Sequence, residues 1–133
     1  MEPRSKVLVV DDQKDIVETV SFCLEQEGYQ VFTANDGEQA MGVARQEEPD
    51  VLVLDVMLPK ENGYQVARYL REAHQEGEIS KEPQILMLTA RVVNDPDRQA
   101  FIESWTGTKH FMYKPFDLDE LVRKVGELSG AVN

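Results

Sequence analysis

The sequence predicts an α/β domain built on a parallel sheet, and three observations predict it. Short apolar runs alternate with amphipathic stretches along the whole chain. Several runs are apolar at every position, as strands buried on both faces of a sheet must be. The runs also end on polar residues: Asp11 and Asp12 after KVLVV, Asp55 after DVLVL, Thr89 after QILML and Lys114 after HFMY. In an open parallel sheet such ends converge on one crevice, where ligands bind.

Val7–Val10 reads as the first strand, rich in β-branched residues and too short for a helix. Residues 14–27 follow with helical spacing, and Gly28 is placed to stop that helix. Tyr29–Ala34 is the second strand. Asp36 caps a helix over residues 37–47, with Gln39 at the capping-box position. Val51–Leu54 is the third strand. Beyond Gly63, the residues Val66, Ala67, Leu70 and Ala73 mark a third helix, which the polar stretch EGEISKEP breaks. Ile85–Leu88 is the fourth strand. Asp95-Pro96 is an N-cap followed by proline at the first helical position, opening a helix to about Trp105, before Gly107. His110–Tyr113 is the fifth strand. Asp117 and Glu120 form a further capping-box pattern, and Leu118, Leu121, Val122, Val125 and Leu128 keep helical spacing. Five βα units in series imply right-handed crossovers and helices on both faces of the sheet. The pattern leaves the strand order open.

Composition narrows the class. A chain of 133 residues is most simply one domain and buries a core without staples. Its 41% apolar and 29% charged residues are ordinary for a soluble globular protein. The net charge of −11 argues against nucleic-acid binding by this segment, since phosphate backbones are met by basic surfaces. Cys23 is the single cysteine, which excludes an intramolecular disulfide, and its place among Ile16, Val20 and Leu24 makes it a core thiol. MEPRSKVLVVDD is neither a signal peptide nor a membrane span, so the cytoplasm is the expected compartment.

The strand-end residues carry the chemistry. A crevice holding the carboxylates of Asp11, Asp12 and Asp55 beside the Lys114 ammonium is costly without a further cation. Hard oxygen ligands suit Mg²⁺. A carboxylate closing a fully apolar strand, as Asp55 does, can serve as a nucleophile toward phosphorus. Each residue alone has an ordinary alternative: a helix cap for Asp11 or Asp12, a loop residue for Asp55, a turn hydroxyl for Thr89, a surface charge for Lys114. The constellation is what points to a site.

That constellation resembles the receiver domain of bacterial two-component response regulators, of the chemotaxis-regulator kind. The resemblance covers essentially the whole chain, in VLVVDD, VLVLDVMLPKENG, the LTA containing Thr89 and Ala90, and YKPF. It implies a flavodoxin-like, doubly wound (βα)5 fold with strand order 2-1-3-4-5, as a single domain over residues 1–133. It implies that Asp55 accepts a phosphoryl group from the phosphohistidine of a sensor histidine kinase or phosphotransfer protein. The state is then relayed to an output domain or downstream protein, with no membrane and no direct nucleic-acid contact. Mg²⁺ would be held by Asp12, Asp55 and the Met57 backbone carbonyl, with Asp11 acting through water. Lys114 would contact the phosphoryl group, Thr89 would hydrogen-bond it in the active state, and Phe111 would turn inward. Met57 and Arg91 would flank the approach of a hydrolytic water. The Lys114–Pro115 bond is expected to be cis, since X–Pro bonds alone adopt cis cheaply. Such a domain is no enzyme toward other substrates and catalyses only its own phosphorylation and dephosphorylation.

The departures lie in EGEISKEP and in WTGTKHF, which replaces the family's common Gly-Ala-Asp-Asp-Tyr; both are away from the strand ends. Competing readings are a pseudo-receiver that docks partners without phosphorylation, an aspartate-dependent phosphohydrolase and a flavodoxin. A phosphohydrolase typically has a second acid two residues after the nucleophile, where this chain has Met57. A flavodoxin would want a hydroxyl-rich loop after the first strand, where this chain has DDQKD.

Overall fold

The structure, a computed structural model, describes residues 5–90 and 94–130. Ten elements alternate strictly: β1 (Lys6–Val10), α1 (Lys14–Gln26), β2 (Gln30–Ala34), α2 (Gly37–Glu47), β3 (Val51–Asp55), α3 (Gly63–Gln75), β4 (Gln84–Thr89), α4 (Pro96–Thr106), β5 (His110–Tyr113) and α5 (Leu118–Gly130). The five strands form one parallel sheet in the order β2-β1-β3-β4-β5. This flavodoxin-like arrangement is the one the sequence resemblance implied.

Alternation along the strands builds two cores. On one face Leu8, Val10, Leu52, Leu54 and Met87 pack with Ala40 and Ala44 of α2 and Val66, Ala67 and Leu70 of α3. On the other, Val7, Val9, Val51, Val53 and Leu88 pack with Val20 and Leu24 of α1 and Leu121 and Val125 of α5. Each residue of β3 is buried, as a central strand covered twice requires. Helix α4 packs on α3 and buries only Ile102 and Thr106 of its own residues.

Local signals place the helix ends. Gly28 takes φ 95° just past α1, a left-handed conformation that glycine adopts without Cβ strain. Asp95 accepts the backbone N–H groups of Asp97 and Arg98 ahead of Pro96, and Asp117 accepts those of Asp119 and Glu120.

The structure also corrects several expectations. The capping box at Asp36 is only half formed. Asp36 accepts the Gln39 N–H at 2.8 Å, but Gln39 Oε1 reaches back to the N–H of Asn35. The reciprocal box belongs instead to α3, where Asn62 and Gln65 exchange bonds at 3.0 and 2.9 Å. Tyr29 lies outside β2, whereas Asp55 and Thr89 are the last residues of their strands. Cys23 is half-buried, not a fully enclosed core thiol.

Candidate functional site

Strand register brings the site together. Val10 pairs with Leu54, so the next residues, Asp11 and Asp55, emerge side by side from β1 and β3. Asp55 pairs with Leu88 and Thr89 with Tyr113, which brings the ends of β4 and β5 alongside. The Lys114 N–H bonds the Thr89 carbonyl at 2.8 Å, extending that ladder to the lysine itself. The Lys114–Pro115 peptide bond is cis.

The two buried carboxylates are held alike. One oxygen of Asp11 accepts the N–H of Gln13 at 2.9 Å, and one oxygen of Asp55 accepts that of Met57 at 3.1 Å. Each is a turn closed by an Asp side chain on the backbone two residues on. The other oxygen of each faces Lys114, whose ammonium lies 3.0 Å from Asp11 and 3.2 Å from Asp55. Gln13 Oε1, 3.4 Å away, completes the lysine's contacts in this group. Asp12 is exposed at the mouth, and one oxygen from each of Asp11, Asp12 and Asp55 lies within 4.8 Å of the others.

Backbone packing fixes the carboxylate-bearing end of β3. The Gly63 N–H bonds the Val56 carbonyl at 2.9 Å, and a Cβ on Gly63 would collide with the Asp55 carbonyl oxygen. Helix α3 therefore begins directly against the backbone of Asp55, a close approach that only glycine permits.

The electrostatics are unbalanced. Burial pushes the Asp55 carboxyl above its ordinary range, and the charge of Asp11 pushes it further; the Met57 N–H and Lys114 offset this only in part. Burial alone would lower the Lys114 ammonium, but its hydrogen bond to Asp11 and the charges of both aspartates raise it. Three carboxylates thus cluster at close range, and two of them share one lysine. Hard oxygen donors with excess negative charge are the donor set that Mg²⁺ takes.

Of the other residues singled out by sequence, Thr89 is buried at the end of β4. Phe111 is half-buried on β5 and packs on the core beneath α2 and α3. Met57 is 64% exposed. Arg91 lies outside the described residues. His110 sits at the opposite end of β5 from Lys114, and His74 in the last turn of α3. Sequence reasoning missed Gln13 and Gly63. Gln13 lay in plain view in DDQKD, while the role of Gly63 depends on a contact to a strand end eight residues before it.

The family model for the response regulator receiver domain matches residues 7–126. The chain belongs to that family. This receiver domain is similar in structure to the receiver domain of the Francisella response regulator 1452, at 26% identity and TM-score 0.82, covering 98% of this chain and 100% of that one. It is similar to the chemotaxis response regulator CheY4 of Vibrio cholerae, at 29% identity and TM-score 0.79, covering 94% and 98%. It also resembles the BeF3-activated receiver domain of DrrB, a Thermotoga maritima protein, at 31% identity and TM-score 0.75, covering 94% and 97%. Receiver domains generally bind Mg²⁺ at their acidic site, and the cluster of Asp11, Asp12 and Asp55 is compatible with it. Among the described residues no helix is long and apolar enough to cross a membrane.

Proposed function

We propose that this receiver domain is a phosphorylation-switched signalling module in which Asp55 is the phosphoacceptor. The donor is the phosphohistidine of a sensor histidine kinase or phosphotransfer protein, and the readout is an output domain or downstream protein. The observation that carries this reading is the Lys114 ammonium between Asp11 and Asp55, within a cluster of three carboxylates at the strand ends.

The residues divide the work. In the transfer, a carboxylate oxygen of Asp55 forms a bond to phosphorus as the phosphorus–nitrogen bond of the donor breaks, and the bonding pair returns to the imidazole. Such a transfer needs positioning and charge neutralisation more than covalent help. The Met57 N–H holds one Asp55 oxygen in place. Lys114 lies within reach to neutralise a phosphoryl oxygen. Asp11, Asp12, Asp55 and the Met57 carbonyl are the groups that would hold Mg²⁺, with Asp11 acting through water. The metal supplies positive charge for the phosphoryl oxygens when bound.

Thr89 is the hydroxyl that would bond the phosphoryl group, and Phe111 the aromatic that follows it inward, shifting a pre-existing two-state equilibrium. Met57, apolar and at the approach, cannot orient a water for hydrolysis. The domain works in the cytoplasm, as one unit over residues 1–133, and catalyses no reaction but its own phosphorylation and dephosphorylation.

The test is intact mass after incubation with acetyl phosphate, with and without Mg²⁺. A phosphate adduct is expected in wild type with Mg²⁺ and in none of the Asp55→Asn protein. An adduct that persists in Asp55→Asn would move the acceptor elsewhere. A wild type that stays unmodified, also with a phosphohistidine donor, would leave a docking module without phosphorylation.

A further inference from the structure

A second concave surface lies away from the acidic crevice. It is a cleft of about 600 Å³ between α3 and α4, lined chiefly by Tyr64 and Gln65 of α3 and by Arg98, Phe101, Ile102 and Trp105 of α4. The four α4 residues follow helical spacing and form one face. Phe101 is 65% exposed, a large ring left in water on a helix that buries only Ile102 and Thr106.

The floor of this cleft is braced. The Arg68 guanidinium stacks on the Trp105 ring, 5.6 Å from its centre, and donates to the Trp105 carbonyl at 3.1 Å. Arg71 donates to the carbonyl of Ser104 one residue earlier. Two arginines of α3 thereby satisfy carbonyls at the C-terminal end of α4 and hold the two helices at fixed spacing. A groove so preorganised costs little to bind.

Its charge is opposite to that of the molecule. The chain carries −11, yet Arg98 lines the cleft and no carboxylate does. Among the described residues Arg98 forms no ion pair with a carboxylate, whereas Arg68, stacked on Trp105, is already paired with Glu72 at 3.7 Å. The lining on α4 runs from Arg98 to Thr106, about 12 Å at 1.5 Å per residue, room for some two turns of a helix.

We propose that the α3–α4 cleft docks an acidic amphipathic helix of a partner protein. The helix lays an apolar stripe on Phe101, Ile102 and Trp105 and sets a carboxylate on Arg98, in the helix-in-groove mode. A second copy of this chain fits less well, because its 25 acidic and 14 basic residues repel across the whole approach. A short acidic helix brings its charge only where Arg98 meets it.

The test uses the unphosphorylated full chain and two synthetic helices without tryptophan. One has a Leu stripe flanked by Glu, and its twin has Lys for each Glu. Trp105, the single tryptophan, reports from within the cleft. The Glu helix is expected to give a saturable fluorescence change that weakens with salt. Its affinity should fall about tenfold or more in Arg98→Glu and in Phe101→Ser. It should be unchanged in Phe22→Ser, which removes an exposed ring on α1.

Circular dichroism confirms that each variant is folded. A silent Glu helix, confirmed by calorimetry, overturns the proposal, as does a Lys twin that binds equally well. Equal loss in Phe22→Ser would place the contact on α1 instead. A concentration-dependent dimer in sedimentation, abolished by Phe101→Ser, would give the cleft to a second copy.

Discussion

Asp50 and Asp55 stand at the two ends of the same strand, and their surroundings have opposite effects. Asp50 immediately precedes β3. One of its oxygens accepts the N–H of Lys6 at 2.8 Å, and the other pairs with the Lys81 ammonium at 2.5 Å. Its backbone bonds both neighbours, Asp50 N–H to Lys6 and Gln84 N–H to Asp50. Burial pushes its carboxyl up, but Lys81 and the Lys6 N–H outweigh that and hold it below the ordinary value. Asp55, five residues on along the chain, faces another aspartate and shares its lysine. Its carboxyl is held above the ordinary value. At one end of the strand a single carboxylate has a lysine ammonium and a backbone N–H to itself, and it contributes to stability. At the other end two carboxylates share one lysine, and the arrangement costs stability. Sites kept in an unfavourable charge state in this way are where function is commonly found.

The largest effect should come from the stabilising end. Asp50→Ala leaves the Lys6 N–H without its acceptor and Lys81 without its counter-ion, and should cost about 2 kcal/mol in urea unfolding. A loss as small as that of an exposed surface change would remove the contrast.

Next is Mg²⁺. A cation that binds only the folded crevice stabilises it by about 1.4 kcal/mol at ten times its dissociation constant. Thermal unfolding with and without Mg²⁺ should show this gain in wild type and in Asp50→Asn, and not in Asp12→Ala. An equal rise in all three would mean the ion acts elsewhere.

The two carboxylates should also respond oppositely to pH. Asp50 has a folded pKa below its ordinary 3.8, so its contribution is present above 3.8 and is lost as pH falls through the folded value. Asp55 has a folded pKa above 3.8, so its cost is full above that folded value and is relieved as pH falls through it. The stability gap between wild type and Asp55→Asn should therefore close at a higher pH than the gap for Asp50→Asn. Coincident closure would contradict the assigned directions. The smallest effect is Lys81→Met, worth about 0.5 kcal/mol for a half-exposed partner, and it should weaken further in salt.

The crevice was legible in the sequence because each of its residues closes an apolar run, so position along a strand and position in the site are the same information. The rim around Asp50 was not. Lys6 and Lys81 lie 44 and 31 residues from Asp50, one at the head of the first apolar run and one in the polar stretch EGEISKEP. EGEISKEP looked like an unstructured break, yet Ser80 donates both its N–H and its hydroxyl to Glu48 at 2.6 Å. The strand order came from the family resemblance alone, because crossover handedness limits topologies without choosing one. The Asn62–Gln65 capping box follows the three-residue spacing rule and stands in NGYQ in the sequence. The stacking of Arg68 on Trp105 joins residues 37 apart on two helices whose contact no local pattern announces.

The central claim, that the strand-end crevice is held in an unfavourable charge state by its own aspartates, is tested most directly by one pair of unfolding curves. Wild type and Asp55→Asn are compared in Mg²⁺-free buffer at neutral pH. Asn keeps an acceptor for the Met57 N–H and leaves Lys114 with Asp11, while removing one of the repelling charges. The expected result is a gain of about 1 kcal/mol in the variant. A loss, of the kind Asp50→Asn should show, would mean that Asp55 is an ordinary structural carboxylate and that the crevice carries no such cost.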